Sequence, residues 1–346
     1  MTEEIVVLGD LYERASDKLG GAIFSYYAGG AGDEITLRAN ELAWRQLALR
    51  QRVLVGVSNR DPSITLLGKH LNIPIVVSPM AWQQLAHSDG EIGMARATGS
   101  VGGIYCLSTF STIQLEEVAE SVSDPSMIWM QTQFFQDRNL TFEIASRAKK
   151  SGFSAIVLTV DQPVLGRRDR SMSQSFVRPT SPNVGNRLTI PAPDLTWADV
   201  AVFVSEVGLP VLLKGVLDPR DVVLAEKSGC AGVIVSNHGG RQLDTVLPSA
   251  MALPSIAEVA GNNFVVIVDG GIRRGTDIVK GLALGANAVM IGRQLLWALA
   301  VGGEKGVADA LSIFAAEFNI ALGVIGVNSV SELSPDLVMS VPSVFR

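Results

Sequence analysis

The stretch Phe264-Val265-Val266-Ile267-Val268-Asp269-Gly270-Gly271-Ile272-Arg273-Arg274 decides the fold. A short β-branched run stops at an acid and two glycines. An amphipathic segment follows, Gly275 to Leu284, and the next apolar run opens at Ala288. A run without polar alternation suits a strand buried on both faces, as in an all-parallel sheet.

Working outward, the same unit recurs. Eight runs read as strands: Pro74 to Ser78, Gly103 to Ser108, Met127 to Gln131, Ala155 to Val160, Pro210 to Lys214, Gly232 to Ser236, Phe264 to Asp269 and Ala288 to Gly292. Amphipathic stretches lie between them, among them Ile113 to Val122, Leu140 to Lys150, Thr196 to Val207 and Pro219 to Ser228. Alternating strands and helices mean βαβ units. Eight units fit a closed (β/α)8 TIM barrel better than an open sheet.

A helical N-terminal extension, roughly residues 8 to 50, precedes the first strand, and a helical tail, roughly 303 to 324, follows the last. The length, 346 residues, would allow one large barrel or two ordinary domains. No composition shift marks a linker, so residues 1–346 read as a single domain. The longest aperiodic stretch, Arg178 to Leu195, is rich in Pro, Asn and Ser. It reads equally as a lid at the barrel rim or as a mobile surface loop.

Hydrophobic residues make up 47% of the chain and charged ones 18%, ample for a large core. The net charge is -6, and no basic stripe offers itself to nucleic acid. Two distant cysteines, Cys106 and Cys230, fit a reducing compartment better than a disulfide scaffold, though one bridge stays open. The N-terminus has no signal-peptide pattern, and no apolar run reaches the roughly 20 residues of a membrane span. A cytoplasmic location without membrane attachment is therefore expected, as is the absence of a metal.

Active sites of such barrels lie at the C-terminal ends of the strands. There stand Ser78-Pro79-Met80-Ala81, Ser108-Thr109-Phe110, Gln131-Thr132-Gln133, Thr159-Val160-Asp161, Lys214-Gly215, Ser236-Asn237-His238, Asp269-Gly270-Gly271 and Gly292-Arg293. Of three histidines, His70 reads as part of a surface turn and His87 as structural. Only His238 comes directly off a barrel strand, where an imidazole suits proton transfer. Lys214 ends an apolar run and needs a partner. Arg241, and Arg167-Arg168 after Asp161, suit a carboxylate substrate. For the Arg167-Arg168 pair, a salt-bridged loop is the plainer alternative. Two Gly/Arg loops after the last two strands suit a phosphate. These residues imply a phosphate-bearing ligand, a histidine base and a cationic pocket for an acid.

The stretch Ser236-Asn237-His238-Gly239-Gly240-Arg241-Gln242-Leu243-Asp244 resembles the signature of the FMN-dependent 2-hydroxy-acid oxidases and dehydrogenases. Further matches are Leu158-Thr159-Val160-Asp161 with Gly166-Arg167-Arg168, Lys214-Gly215-Val216, Asp269 through Asp277, and Ile291-Gly292-Arg293. The similarity runs from about Tyr26 to about Gly323. It implies an FMN cofactor and oxidation of a 2-hydroxy acid to the 2-oxo acid, by hydride or by carbanion chemistry. By the same resemblance His238 is the base and Asp161 its carboxylate partner. Arg168, Arg241 and Tyr26 hold the substrate carboxylate, and Lys214 sits near flavin N1 and O2. Pro79, Met80 and Ala81 line the flavin. Ser108, Gln131 and Thr159 bond its ring, and Ser236 joins the cofactor site. Asp269, Gly271, Arg273, Gly292 and Arg293 hold the ribityl chain and phosphate. A homotetramer is also implied.

The chain departs from that pattern in places. Gln133 stands where the family usually has a second active-site tyrosine. Phe110 replaces a tryptophan of glycolate oxidase, and Met80 a smaller residue. All three fall on the substrate side, which favours a substrate larger than glycolate. An oxidase using O2 is the leading expectation. A dehydrogenase with a quinone or protein acceptor, or an FMN barrel with chemistry redirected by Gln133, are the alternatives. An isomerase on the same barrel fits poorly with the intact His238, Arg241 and Arg168.

Overall fold

The computed structural model describes residues 4–341. All eight expected runs form strands of one closed barrel: β1 (Ile75–Val77), β2 (Ile104–Ser108), β3 (Ile128–Gln133), β4 (Ala155–Thr159), β5 (Val211–Val216), β6 (Gly232–Val235), β7 (Val265–Val268) and β8 (Ala288–Ile291). Neighbours run parallel in sequence order, and β8 closes on β1.

Their apolar continuity has a two-sided cause. Alternate residues, among them Val76, Cys106, Trp129, Val157, Leu212, Ile234, Ile267 and Met290, fill the barrel interior. The residues between them, such as Val77, Leu107, Met130, Leu158, Leu213, Val235, Val268 and Ile291, pack with the surrounding helices. Neither face sees water, so no polar position interrupts the pattern. An interior aromatic such as the fully buried Trp129 contributes about 3–5 kcal/mol.

Two strands run past their expected ends. β3 extends to Gln133, which pairs with Thr159. β5 continues to Val216 through a bulge, with Lys214 opposite Ile234 and Val216 opposite Val235. The bulge centres on Gly215 at φ +113°, where a Cβ would lie 2.4 Å from Asp161 Cβ. Only glycine lets these two strand ends approach so closely.

The antiparallel hairpin Ile64–Leu66 and Lys69–Leu71 sends Leu66 and Leu71 into the interior cluster. His70 therefore lies exposed on a hairpin strand and not in the turn, which is Leu67-Gly68. The N-terminal extension forms helices Leu11–Lys18, Gly21–Ala28 and Ile35–Arg45. The third starts on a distant cap. Asp244 accepts from the Ile35 and Thr36 amides at 3.1 and 2.7 Å, satisfying first-turn donors and placing an anion at the positive helix end. Strand Leu47–Leu49 then pairs antiparallel with Val338–Ser340, an element the helical reading of this region did not contain.

The C-terminal tail begins ten residues earlier than expected, as a helix over Arg293–Ile325 broken at Gly303. By length and composition it could cross a membrane, which corrects the expectation that no segment would. Here it packs along the helices Leu11–Lys18, Gly90–Ser100 and Gly275–Ala283. Both cysteines are buried free thiols, so the bridge left open by the sequence is absent.

Candidate active site

The inward-facing register of the strands does not stop where the apolar layer stops. Two residues on from interior positions come Ser78, Ser108, Gln131, Thr159, Lys214, Ser236, Asp269 and Gly292, with Gln133 one step further. All but Ser236 form the floor of a mouth that opens into a cavity of about 420 Å³.

Across the floor, hydrogen bonds follow adjacent strands. Ser108 Oγ donates to Gln131 Oε1 at 3.2 Å, and Gln131 Nε2 donates to Thr159 Oγ1 at 3.0 Å. Beside them Lys214 Nζ lies 2.9 Å from Asp269 Oδ2 and donates to Ser236 Oγ at 2.7 Å. Burial pulls the ammonium down, but Asp269, then Asp161, outweigh it and raise its pKa, so the lysine stays charged. Ser236 departs from its expected place. It is fully buried, does not line the cavity, and accepts from both Lys214 and the His238 amide at 3.0 Å. Its hydroxyl props two site residues from beneath.

His238 stands three residues past the end of β6 in the left-handed region, φ +58°, followed by Gly239 and Gly240 at positive φ. Its Nδ1 lies 3.1 Å from Asp161 Oδ1. Burial depresses the imidazole pKa below its ordinary 6.5, more than Asp161 raises it. Asp161 is held below the usual carboxylate range: burial opposes this, but His238 and Lys214 prevail. The pair is thus a neutral imidazole, Nδ1–H toward an ionised carboxylate, with Nε2 carrying a lone pair.

At the mouth, Arg241 Nη1 donates to the Tyr26 and Gly29 carbonyls at 2.8 and 2.6 Å, and its guanidinium lies 5.1 Å over the Tyr26 ring. Arg168 Nε donates to the Arg241 carbonyl at 3.1 Å. Burial and then Arg241 push Arg168 down to about 9. Two guanidiniums that repel one another, neither in an ion pair among the described residues, form a receptor for an anion. The adjacent pair in the sequence divides: Arg168 reaches the mouth, while the exposed Arg167 bonds Asp169 at 2.7 Å.

At the other end, Gly270 and Gly271 have φ of +89° and +82°, and a Cβ on Gly271 would lie 2.2 Å from the Asn40 carbonyl. Arg293 donates to the Gly239 carbonyl. Burial, then Arg241 and Arg273, press it down to about 9, and it makes no ion pair among the described residues. Arg273, by contrast, is engaged by Glu41 at 2.7 Å. Asp269 Oδ1 is buried without a partner, an acceptor suited to a polyol hydroxyl. An uncompensated buried guanidinium, a glycine cradle and an orphan acceptor fit a ribityl phosphate. The polar floor with Lys214 fits a flavin ring. Pro79, Met80, Ala81 and Gly292 line the same cavity, as do Tyr26, Phe110 and Gln133 toward its opening.

The first part of the stretch Arg178 to Leu195, as far as Thr189, supplies a wall of the cavity and is tied to the β2 end. Ser181 Oγ lies 2.9 and 2.8 Å from the Thr109 and Ser111 carbonyls. Asn183 donates to Ser111 Oγ and accepts from the Leu115 amide. Both side chains are nearly fully buried.

Several residues of the site were given no role by the sequence. Gln162 Nε2 lies 3.1 Å from His238 Nε2. Gln242 donates to the Asp161 and Val164 carbonyls and accepts from the Gly166 amide, joining the two halves of the mouth. Asn40 and Asn237 exchange a reciprocal pair of amide bonds at 2.9 and 2.8 Å. Trp82, at φ +54°, packs against Tyr26 and Phe110. Asn237 and Gln242 stand inside the quoted signature and Gln162 directly follows Asp161, which was the available signal; nothing local marks Asn40.

Comparison with known proteins identifies the family of the chain. The family model described as FMN-dependent dehydrogenase matches residues 15–340. An L-lactate oxidase from Nostoc sp. is 42% identical, over 93% of this chain and 95% of that protein. Glycolate oxidase 3 of Arabidopsis thaliana is 39% identical, over 93% of each. A crystal structure of mandelate oxidase with 3,3-difluoro-2-hydroxy-3-phenylpropionic acid superposes with a TM-score of 0.90 at 38% identity, over 96% of this chain and 98% of that one.

Proposed function

We propose that this chain, which belongs to the FMN-dependent dehydrogenase family, oxidises an L-2-hydroxy acid larger than glycolate to the 2-oxo acid and passes the electrons to O2. The observation that carries this reading is the neutral His238, backed by Asp161, opening on the same cavity as Arg168 and Arg241.

Arg168 and Arg241 hold the substrate carboxylate through their planar forks. Backbone carbonyls of the helix Gly21–Ala28 and of Gly29 aim Arg241, which leaves its outer edge for the anion. His238 takes the substrate proton at Nε2 while Nδ1–H stays on Asp161, whose charge stabilises the imidazolium. FMN, when bound, supplies the two-electron acceptor. Arg293 and Arg273 would hold its phosphate, Gly271 and Asp269 the ribityl chain, and Ser108, Gln131 and Thr159 its ring. Lys214 contributes a fixed positive charge where negative charge gathers during reduction. Phe110 and Gln133 shape the substrate side, which supports an acid larger than glycolate. The oxidase names of the relatives support O2 as acceptor. A cytoplasmic homotetramer completes the proposal; two free thiols agree with a reducing compartment.

The test is an anaerobic visible spectrum of the purified holoenzyme, titrated with L-lactate, glycolate, mandelate and longer 2-hydroxy acids. Bleaching of the oxidised flavin band by a longer acid, with rapid return in air, is expected. A flavin that no member bleaches would overturn the reaction; slow return in air would overturn the acceptor.

A further inference from the structure

The cavity carries more positive charge than the reaction uses. Lys214 is compensated by Asp269, Arg273 by Glu41 and Arg187 by Glu143. Arg293 belongs to the phosphate end, and Arg168 with Arg241 to the substrate carboxylate. That leaves Arg178, which lines the same cavity. It is exposed and makes no ion pair or hydrogen bond with another described residue. Its charge reaches the mouth, adding to burial in depressing both Arg168 and Arg241.

Its position is braced from both sides. Two residues earlier, Phe176 stacks on Tyr26 with ring centroids 4.3 Å apart and planes 16° apart. Three residues later, Ser181 is anchored to the β2 end at the Thr109 and Ser111 carbonyls. Pro179 in between keeps Arg178 in extended backbone. The segment that carries Arg178 along the cavity is thus anchored on either side of it, at the cost of repulsion from two other arginines that a single substrate carboxylate already occupies.

We propose that Arg178 receives a second acidic group at the far end of the substrate side chain, so that the preferred substrate is a 2-hydroxy dicarboxylic acid. Gln133, Thr180 and Thr189 in the same wall supply neutral hydrogen-bonding partners for such a polar end. This assignment rests on the oxidation proposed above, and its test separates the two.

The experiment compares anaerobic flavin reduction by L-2-hydroxyglutarate and by L-2-hydroxypentanoate, which has the same five carbons and lacks the second carboxylate. The dicarboxylate should be favoured on the order of tenfold in rate constant over Kd, the worth of one charge-assisted hydrogen bond. Arg178→Met should bring that ratio to about one, and Arg178→Lys should keep part of it. Equal losses on both acids would show general steering of anions and overturn the subsite. If neither acid bleaches the flavin, the oxidation reading is decided by the wider panel above, and the subsite is read by perturbation of the flavin spectrum. A tighter Kd for 2-oxoglutarate than for 2-oxopentanoate that vanishes in Arg178→Met upholds it; equal Kd values remove it.

Discussion

The side-chain amide nitrogen of Gln162 lies over the His238 ring, 3.1 Å from Nε2 and 3.4 Å from Nδ1, while Asp161 engages Nδ1 at the ring edge. The in-plane lone pair of Nε2, which is expected to take the substrate proton, is thus left open. Lying over the ring, the amide shields the imidazole from water and so adds to the burial that favours its neutral form. Gln162→Ala should raise the pKa of the acid limb of flavin reduction by up to about one unit. Substrate binding should change little, since the Nε2 lone pair is open in either case. Stopped-flow reduction across pH reads both; an unmoved limb with weaker binding would refute this role.

His238 and Asp161 can be separated by the direction of the pH effect. His238→Ala should retain FMN yet slow reduction by about two or more orders of magnitude. Asp161→Asn removes the carboxylate that raises the imidazole pKa, so the acid limb should move further below 6.5. The maximal rate should fall as well, since the imidazolium loses its counter-charge. A limb that moves upward would show that Asp161 acts otherwise.

The two phosphate-end arginines should not weigh equally. Arg293 is pushed down to about 9 and has no acid partner among the described residues, whereas Arg273 is bonded to Glu41. Arg293→Met should weaken FMN by on the order of ten- to a hundredfold, and Arg273→Met by less. Fluorescence titration gives the affinities, and the rise in Tm on adding FMN should shrink in the same order. A larger loss at Arg273 would reverse the assignment.

Gln133 is nearly buried in the cavity wall, and its side chain bonds no other described residue. Gln133→Tyr brings in a phenol that reaches further into the cavity and donates one hydrogen bond. Reduction by lactate and glycolate should accelerate several-fold relative to longer acids. Unchanged kcat/KM ratios across that panel would mean that Gln133 does not select the substrate.

The barrel was legible because each strand is buried on two faces, which leaves eight uninterrupted apolar runs separated by helical periods. The site was legible because inward register continues from Cys106 to Ser108, from Trp129 to Gln131 and from Ile267 to Asp269. Pattern reading failed where one residue alters the geometry. Gly215 bulges β5 and keeps Lys214 within the strand. It failed again where partners are remote. Glu41 on Arg273, Asp244 on the helix Ile35–Arg45 and Ser181 on the β2 end are contacts no local window contains. The helix Arg293–Ile325 escaped as a long apolar segment because Gly303 and scattered charges interrupt its composition.

The reciprocal amide pair of Asn40 and Asn237 spans 197 positions of chain. During synthesis at roughly 5–20 residues per second, Asn40 leaves the ribosome about 10–40 s before its partner. The first three helices must therefore wait, their inner face uncovered, until the sixth strand and its turn emerge. The extension is earliest to be made and among the last to be secured, so it is where a chaperone would be needed. Pulse proteolysis of stalled nascent chains should find residues near Asn40 cleavable before residue 237 is exposed and protected once the turn through Asp244 is out; early protection would refute this order.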